Sequence, residues 1–153
     1  MAQRSIRVYV DSSVFGGVQD TEFARPSQLL FDAVRERKIQ PVISALVLRE
    51  LDLAPQPVIA LFQNMLPLAE VVPVGPESLA LRDAYLRAKI VGPRWSTDAL
   101  HVAVATVNSC SVIVSWNFKH IVNYRKIPLY NAINRIEGYQ DLAIYSPWEV
   151  IDE

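Results

Sequence analysis

The sequence predicts an α/β protein with a central, mostly parallel sheet of four or five strands and helices on both faces. Short continuous apolar runs, typical of buried strands, recur along the chain, and segments with helical spacing separate them. Strands that alternate with helices form crossover connections, which build parallel sheets. With 153 residues, 51% of them hydrophobic, the chain is long enough for one core, so we expect a single domain over residues 1–153.

The first half of the chain is predicted to hold two strands and three helices. The apolar, β-branched run 6–10 favours a strand that ends at Asp11, and Pro26 is favourable in the first turn of a helix with apolar residues three and four apart. The run 41–43 favours a second strand, after which Ser44 can cap a helix. Two prolines break that helix, and a further helix follows at 58–66.

The second half is predicted to continue the alternation. A strand at 71–74 leads into a helix that begins at Pro76 and extends to about residue 88. After a Gly-Pro turn, Ser96 or Thr97 can cap a helix that starts at Asp98 and is apolar nearly all round, so we expect it inside the fold. The remaining elements are a strand at 112–114, a helix at 129–136 and a strand at 142–145.

Composition limits the classes of partner and compartment. Fifteen basic against sixteen acidic residues give a net charge of -1, so the whole chain offers no basic field, and any nucleic-acid contact must come from local patches. The single Cys110 cannot form an intramolecular disulfide and is expected to be buried. No export signal and no apolar membrane span are visible, so we expect a cytoplasmic protein that does not contact a membrane.

Three carboxylates stand where burial makes a charge costly. Asp11 ends an apolar strand, Glu50 lies in the second turn of an apolar helix, and Asp98 lies in the first turn of the apolar helix described above. In open parallel sheets the binding crevice lies at the carboxyl ends of the strands, where Asp11 and Asn117 are expected. Because hard divalent cations prefer oxygen ligands, three convergent acids would suit one or two such ions.

Each acid also has an ordinary structural explanation. Asp11 could form a turn, and Asp98 could be a charge that favours a helix N-terminus. Glu50 could be a surface charge paired with Arg49. The neighbouring acid Asp52 lies on a different face of the same helix from Glu50.

Four blocks of the sequence resemble the PIN-domain family, and in particular VapC-type toxin ribonucleases of bacterial toxin–antitoxin pairs. The blocks are VYVDSSVF with Asp11, ISALVLREL with Glu50, TDALHVAVAT with Asp98 and VIVSWNFKHI around Asn117. The resemblance implies a single PIN-like domain and a metal-dependent endoribonuclease in which Asp11, Glu50 and Asp98 bind Mg²⁺ or Mn²⁺ and Asn117 joins the catalytic set. It also implies an RNA substrate, a small antitoxin partner and a homodimer.

Asn117 departs from the family pattern, because many relatives carry a fourth acid at this point. Its amide can bind a cation through the carbonyl oxygen or hold a water, but it brings no charge. We therefore expect weaker occupancy of a second metal.

Two serines and a histidine are candidates for supporting roles near the acids. Ser12 or Ser13 could bind phosphate or orient Asp11, or simply cap a helix. His101 lies one helical turn after Asp98 and could be a ligand, a partner of a ligand, or a core histidine.

Aromatic and basic residues after the fourth strand are candidates for RNA contact. Trp116 could be a platform for base stacking or a cover over the core. Lys119, His120, Arg125 and Lys126 are the best candidates for a patch that binds the RNA backbone, and His120 could instead cap a helix.

Two other functions remain open at this point. A degenerate PIN module that binds RNA or a protein partner without catalysis would fit Asn117 and the neutral net charge. An unrelated nucleotide-binding α/β domain fits less well, because no glycine-rich phosphate loop follows the first strand.

Overall fold

The five strands form one parallel sheet in the computed structural model, which describes residues 5–151. The strands are β1 (Ile6–Val10), β2 (Ile39–Ser44), β3 (Glu70–Val72), β4 (Val112–Val114) and β5 (Ala143–Tyr145). They lie in the order β3-β2-β1-β4-β5, and all four neighbouring pairs are parallel. The predicted fold class is confirmed, and the sheet is wholly rather than mostly parallel.

Helices connect the strands throughout the described residues. They are α1 (Ser12–Gly16), α2 (Ala24–Arg35), α3 (Ala45–Leu51), α4 (Gln56–Met65), α5 (Pro76–Arg87), α6 (Ser96–Val107), α7 (Ile127–Ile136) and α8 (Pro147–Val150). Three short 3-10 helices lie at Gly17–Gln19, Leu66–Leu68 and Pro93–Trp95.

The predicted strands and helices are present, but several of their ends differ. α6 begins at Ser96, so Trp95 rather than Ser96 or Thr97 stands at its N-cap position, and Asp98 remains in its first turn. Ser44 does stand at the N-cap of α3, yet its side chain makes no capping hydrogen bond. α1, which starts directly after Asp11 at Ser12, and α8 are not among the predicted elements.

The core lies on both faces of the central strands. Three consecutive residues of β1 and all three of β4 are buried, as expected for parallel strands with both faces covered. The residues of α6 from 99 to 106 are all buried, which confirms the helix predicted to lie inside the fold. Cys110 is buried as predicted, and burial raises the pKa of its thiol to about 11. None of the helices within residues 5–151 has the length and apolar character to cross a membrane.

The strand order places a crevice between β1 and β4. The chain continues from β1 to β2 on one side of this point and from β4 to β5 on the other, so the strand order reverses here. Val10 is in register with Val114, and the next residue, Asp11, donates its backbone N–H to the Val114 carbonyl at 3.1 Å. In open parallel sheets ligands bind outside the carboxyl ends of the strands at such a reversal. Asp11 therefore emerges at the natural binding point of the fold.

Candidate active site

Asp11 is a buried carboxylate held by two serine hydroxyls. It is 5% exposed, and its Oδ2 accepts hydrogen bonds from Ser13 Oγ at 2.7 Å and from Ser115 Oγ at 2.8 Å. Each of these hydroxyls in turn accepts a backbone N–H, Ser13 from Trp116 and Ser115 from Asn117, both at 2.9 Å. These bonds offset the desolvation of the charge and fix the orientation of the carboxylate.

Ser115 is a site residue that the sequence analysis missed. It follows β4 as Asp11 follows β1, and the two side chains meet although they are 104 positions apart. The only signal in the sequence is that two apolar strands both end in polar residues. Because strand pairing is not visible in the sequence alone, only the sheet order identifies Ser115.

His101 joins Asp11 and Glu50 in one group. Its Nε2 lies 2.6 Å from Glu50 Oε1 and 3.5 Å from Asp11 Oδ1, and one ligand-type atom from each of the three residues lies within 4.8 Å of the others. Ser12 adds a hydrogen bond to Glu50 Oε1 at 3.2 Å. The third member of this group is thus His101, whereas the resemblance implied Asp98.

The environment of His101 favours a positive charge. Burial lowers the pKa of this 1% exposed imidazole, but the charge of Asp11 and the hydrogen bond and charge of Glu50 outweigh it, so its pKa is raised. The two carboxylates that flank the imidazole are the main cause of this rise.

Two hydroxyl groups, of Tyr9 and Ser44, connect His101 to the sheet. The Nδ1 of His101 lies 2.8 Å from the Tyr9 hydroxyl, which lies 2.8 Å from Ser44 Oγ. Burial raises the pKa of the Tyr9 phenol far above its usual range, so the phenol stays neutral and can both donate and accept. Ser44 is engaged here, and this explains why it does not cap α3.

Asp98 lies on the same cleft but outside the tight group. The lining of this cleft includes Glu50, Asp98 and Asn117. Burial raises the pKa of the Asp98 carboxyl, a hydrogen bond from the Asn117 side chain opposes this, and the charge of Asp11 raises the pKa further. Asp98 is therefore near enough to interact with Asp11 electrostatically while remaining half-buried at the cleft wall.

Asn117 uses its carbonyl oxygen within the protein. Oδ1 accepts the backbone N–H of Lys119 at 3.2 Å and of His120 at 2.9 Å, which fixes the turn after β4. Its side chain also bonds to Asp98. Asn117 thus acts as a local cap of this turn, and its oxygen is turned toward the backbone rather than free for a cation.

Trp116 is part of the core cover and not an open surface for bases. It is 6% exposed, its ring stacks on Phe23 with centroids 4.1 Å apart, and its indole N–H donates to Ser27 Oγ at 2.9 Å. The structure thus decides between the two alternatives for this residue, and the substrate role is corrected.

The predicted basic patch is divided in the structure. Lys119 and His120 line the cleft. Lys126 instead donates its ammonium to a backbone carbonyl after α5 at 2.6 Å, and Arg125 lies over the ring of exposed Tyr124 at 5.6 Å. The described lining of the cleft includes neither Arg125 nor Lys126.

The tight group has donors that fit one divalent cation. Asp11 Oδ1 has only long contacts of 3.5 Å, to Ser12 and His101, so this oxygen is free to bind an ion. Two carboxylates beside an imidazole suit Mn²⁺, and the two carboxylates alone suit Mg²⁺, which usually keeps several waters. The residues present therefore fit the metal implied by the resemblance, with Asp11 and Glu50 as oxygen donors.

Comparison with known proteins gives matches among solved structures. No protein-family model matches the chain, and no curated protein matches it. A chain of VapBC2 from Rickettsia felis, bound to a DNA fragment from its promoter, superposes with a TM-score of 0.60 and 14% identity, over 92% of this chain and 98% of that one. A chain of FitAcB from Neisseria gonorrhoeae gives 0.60 and 15%, over 94% and 99%.

A third solved structure is VapC20 from Mycobacterium tuberculosis, a toxin that cleaves the sarcin–ricin loop. It superposes with a TM-score of 0.54 and 16% identity, over 69% of this chain and 86% of that one. At such low identities the similarity lies in the arrangement of strands and helices. The chain therefore has the fold of VapC-like PIN domains.

Proposed function

We propose that the protein is a metal-dependent endoribonuclease that hydrolyses RNA phosphodiester bonds. The observation that carries this proposal is the convergence of Asp11, Glu50 and His101 at the strand-order reversal, with Asp98 on the same cleft. These residues come from three separate segments, namely the end of β1, α3 and the start of α6, and burial of the Asp11 charge is costly unless a partner or ligand uses it. A PIN-like fold with acids at this edge supports nuclease chemistry.

Each residue has a defined part in this proposal. Asp11 is oriented by Ser13 and Ser115 to bind the cation, and Glu50, fixed by His101, binds it from α3. Asp98, at the start of α6, would hold water or other ligands of the cation on the side of the phosphate. A divalent cation bound there would polarise the scissile phosphate and activate the attacking water.

The proposed biological role is that of a toxin controlled by a small antitoxin. The support is structural similarity to chains of VapBC2 and FitAcB, whose names describe two-component assemblies, and to the toxin VapC20. The proposal includes a homodimer and an RNA substrate, which follow from the family resemblance, and action in the cytoplasm, which follows from the sequence features given above.

A cleavage assay tests the proposal. Purified protein with Mn²⁺ or Mg²⁺ should cut a structured RNA in its single-stranded loops, and EDTA should stop the reaction. The substitutions Asp11→Asn and Asp98→Asn should each reduce the rate by at least about 100-fold, because each removes charge that holds the ion or its ligands.

The matched control is Glu137→Gln, which removes an exposed carboxylate outside the cleft and should cut RNA at the wild-type rate. Circular dichroism should show the same fold in all variants. Cutting at the wild-type rate by both Asp variants would reject the nuclease assignment.

A binding module without catalysis is the second candidate, and one observation favours it. His101 Nε2 lies 2.6 Å from Glu50 Oε1 and 3.5 Å from Asp11 Oδ1, so the imidazole already stands between the two carboxylates where a cation would bind. Calorimetric titration with Mn²⁺ separates the candidates. A nuclease site should bind the ion with an affinity that Asp11→Asn removes, whereas the module should show no binding that depends on this acid.

A further inference from the structure

The cleft that is lined by Glu50 and Asp98 is also lined by positive charges on an aromatic ring. We call Arg94, Trp95, Lys119 and His120 the cationic wall; all four line the same cleft as Glu50 and Asp98. The Arg94 guanidinium carbon lies 5.1 Å and the Lys119 ammonium 5.6 Å from the centre of the Trp95 ring. Trp95 thus holds two cations from different segments on one side of the cleft.

Neither cation is neutralised within the protein. In residues 5–151 the carboxylates that form ion pairs do so with other side chains, for example Glu70 with Arg7 and Asp141 with Arg135. Among these described residues Arg94 and Lys119 make no ion pair with a carboxylate. Two exposed cations in one cleft are therefore available to an anionic ligand.

His120 adds an independent indication of a ligand. Its ring is stacked on Trp95 with centroids 4.3 Å apart, and the residue is only 8% exposed. Within the described part of the chain, neither ring nitrogen has a hydrogen-bond partner. An enclosed imidazole without partners costs free energy, and a small shift of the ring would let one of its buried nitrogens meet a polar group that enters the cleft.

We propose that the cationic wall binds one nucleotide of single-stranded RNA beside the bond that is cut. Arg94 and Lys119 bind phosphate oxygens, Trp95 positions both cations, and His120 forms a hydrogen bond with the nucleotide. This inference rests on the proposed function, because it takes RNA as the ligand of the cleft.

The charge arrangement favours RNA over an acidic protein segment. Glu50 and Asp98 face the same cleft, and a peptide carboxylate placed against Arg94 would meet their repulsion. RNA phosphodiesters carry divalent counterions. The acids of the cleft can bind these ions while Arg94 and Lys119 bind the phosphate oxygens. Cations combined with an aromatic ring are also the usual means of holding a single strand.

Fluorescence anisotropy with a labelled 12-nucleotide single-stranded RNA tests the subsite. Ca²⁺ replaces Mg²⁺ in the assay, and a gel verifies that the RNA stays intact. The double variant Arg94→Ala/Lys119→Ala should bind at least about 10-fold more weakly. The slope of log affinity against log salt should fall in magnitude by about 1.4, since a single-strand phosphate contact contributes about 0.7.

The matched control is Arg35→Ala/Arg87→Ala, which removes two exposed charges outside the cleft and should change the affinity less than about twofold. His120→Phe retains a stacked ring but lacks both nitrogens. It should weaken binding about fivefold with an unchanged salt slope, because no phosphate contact is lost. Equal weakening by the two double variants, or wild-type affinity in His120→Phe, would overturn the subsite as proposed.

Cleavage measured in parallel with Mn²⁺ separates this inference from the nuclease assignment. If Asp11→Asn loses cleavage while Arg94→Ala/Lys119→Ala binds RNA like its control, the subsite is rejected and the nuclease assignment stands. If binding depends on the cationic wall but no protein cuts RNA, the subsite stands and the nuclease assignment is rejected.

Discussion

Tyr9 shows how one buried hydroxyl connects the sheet to the candidate site. It lies in the middle strand β1, and its phenol links Ser44 at the end of β2 to His101 on α6. Three segments far apart in sequence are thus joined by two hydrogen bonds within the core. The position of His101, and through it that of Glu50, depends on this link.

Removal of the hydroxyl should be costly for stability. Tyr9→Phe leaves Ser44 Oγ and His101 Nδ1 without their partner, so the free energy of unfolding should fall by about 1–3 kcal/mol. Urea denaturation measures this fall. The control Tyr124→Phe removes an exposed hydroxyl and should change stability by less than about 0.5 kcal/mol.

A double-mutant cycle with Ser44→Ala sharpens the same prediction. Because the two side chains share one hydrogen bond, the double variant should cost less than the sum of the single ones, by about 0.5 kcal/mol or more. Strict additivity would show that the Tyr9–Ser44 bond contributes nothing to stability.

At the level of elements, the segment after α1 is packed closely against the turn after β4. The Trp116 indole donates to Ser27 on α2, and Gly17 lies directly against this bond. A Cβ added at Gly17 would stand 2.7 Å from both Ser27 Oγ and Trp116 Nε1, whereas one added at Gly16 would meet nothing within 4 Å. The glycine at position 17 is needed for a close approach, and the one at 16 is not.

These neighbouring glycines therefore give a paired test. Gly17→Ala should lower the free energy of unfolding by about 1–3 kcal/mol because the core is overpacked. Gly16→Ala, at a helical φ of -66°, should raise it by about 0.4–1 kcal/mol through the lower entropy of the unfolded chain. Chemical denaturation followed by tryptophan fluorescence measures both, and similar effects of the two substitutions would refute the packing argument.

For the whole molecule, the arrangement of charge matters more than its sum. A net charge of -1 conceals a cleft that is lined both by acids, Glu50 and Asp98, and by cations, Arg94 and Lys119. Carboxylates that repel each other lower stability, and a cation bound beside buried Asp11 and exposed Glu50 would reduce this repulsion only in the folded chain. Metal binding and folding should therefore be linked.

The linkage can be measured by thermal or urea unfolding. Mn²⁺ at about 100 times its dissociation constant should raise the free energy of unfolding by about 2.7 kcal/mol, and EDTA should reverse the gain. Asp11→Asn should abolish the gain, while the exposed control Glu137→Gln should keep it. An equal gain in Asp11→Asn would mean that the ion binds elsewhere.

Sequence patterns were sufficient for most of the fold. The strand at Ile6–Val10 and the buried helix α6 were predictable because period and hydrophobicity are local properties. Helix ends were less accurate: Trp95 rather than a serine or threonine precedes α6 because packing in the cleft outweighs capping preference.

The sequence by itself determined the alternation of strands and helices, and hence a parallel sheet with Asp11 at the end of its first strand. Only the tertiary structure decided that His101 joins Asp11 and Glu50, that Asn117 turns its oxygen to the backbone, and that Ser115 holds Asp11. The physical reason is separation along the chain. The bonds that fix these side chains join residues up to 104 positions apart, and no local spacing encodes which of them meet.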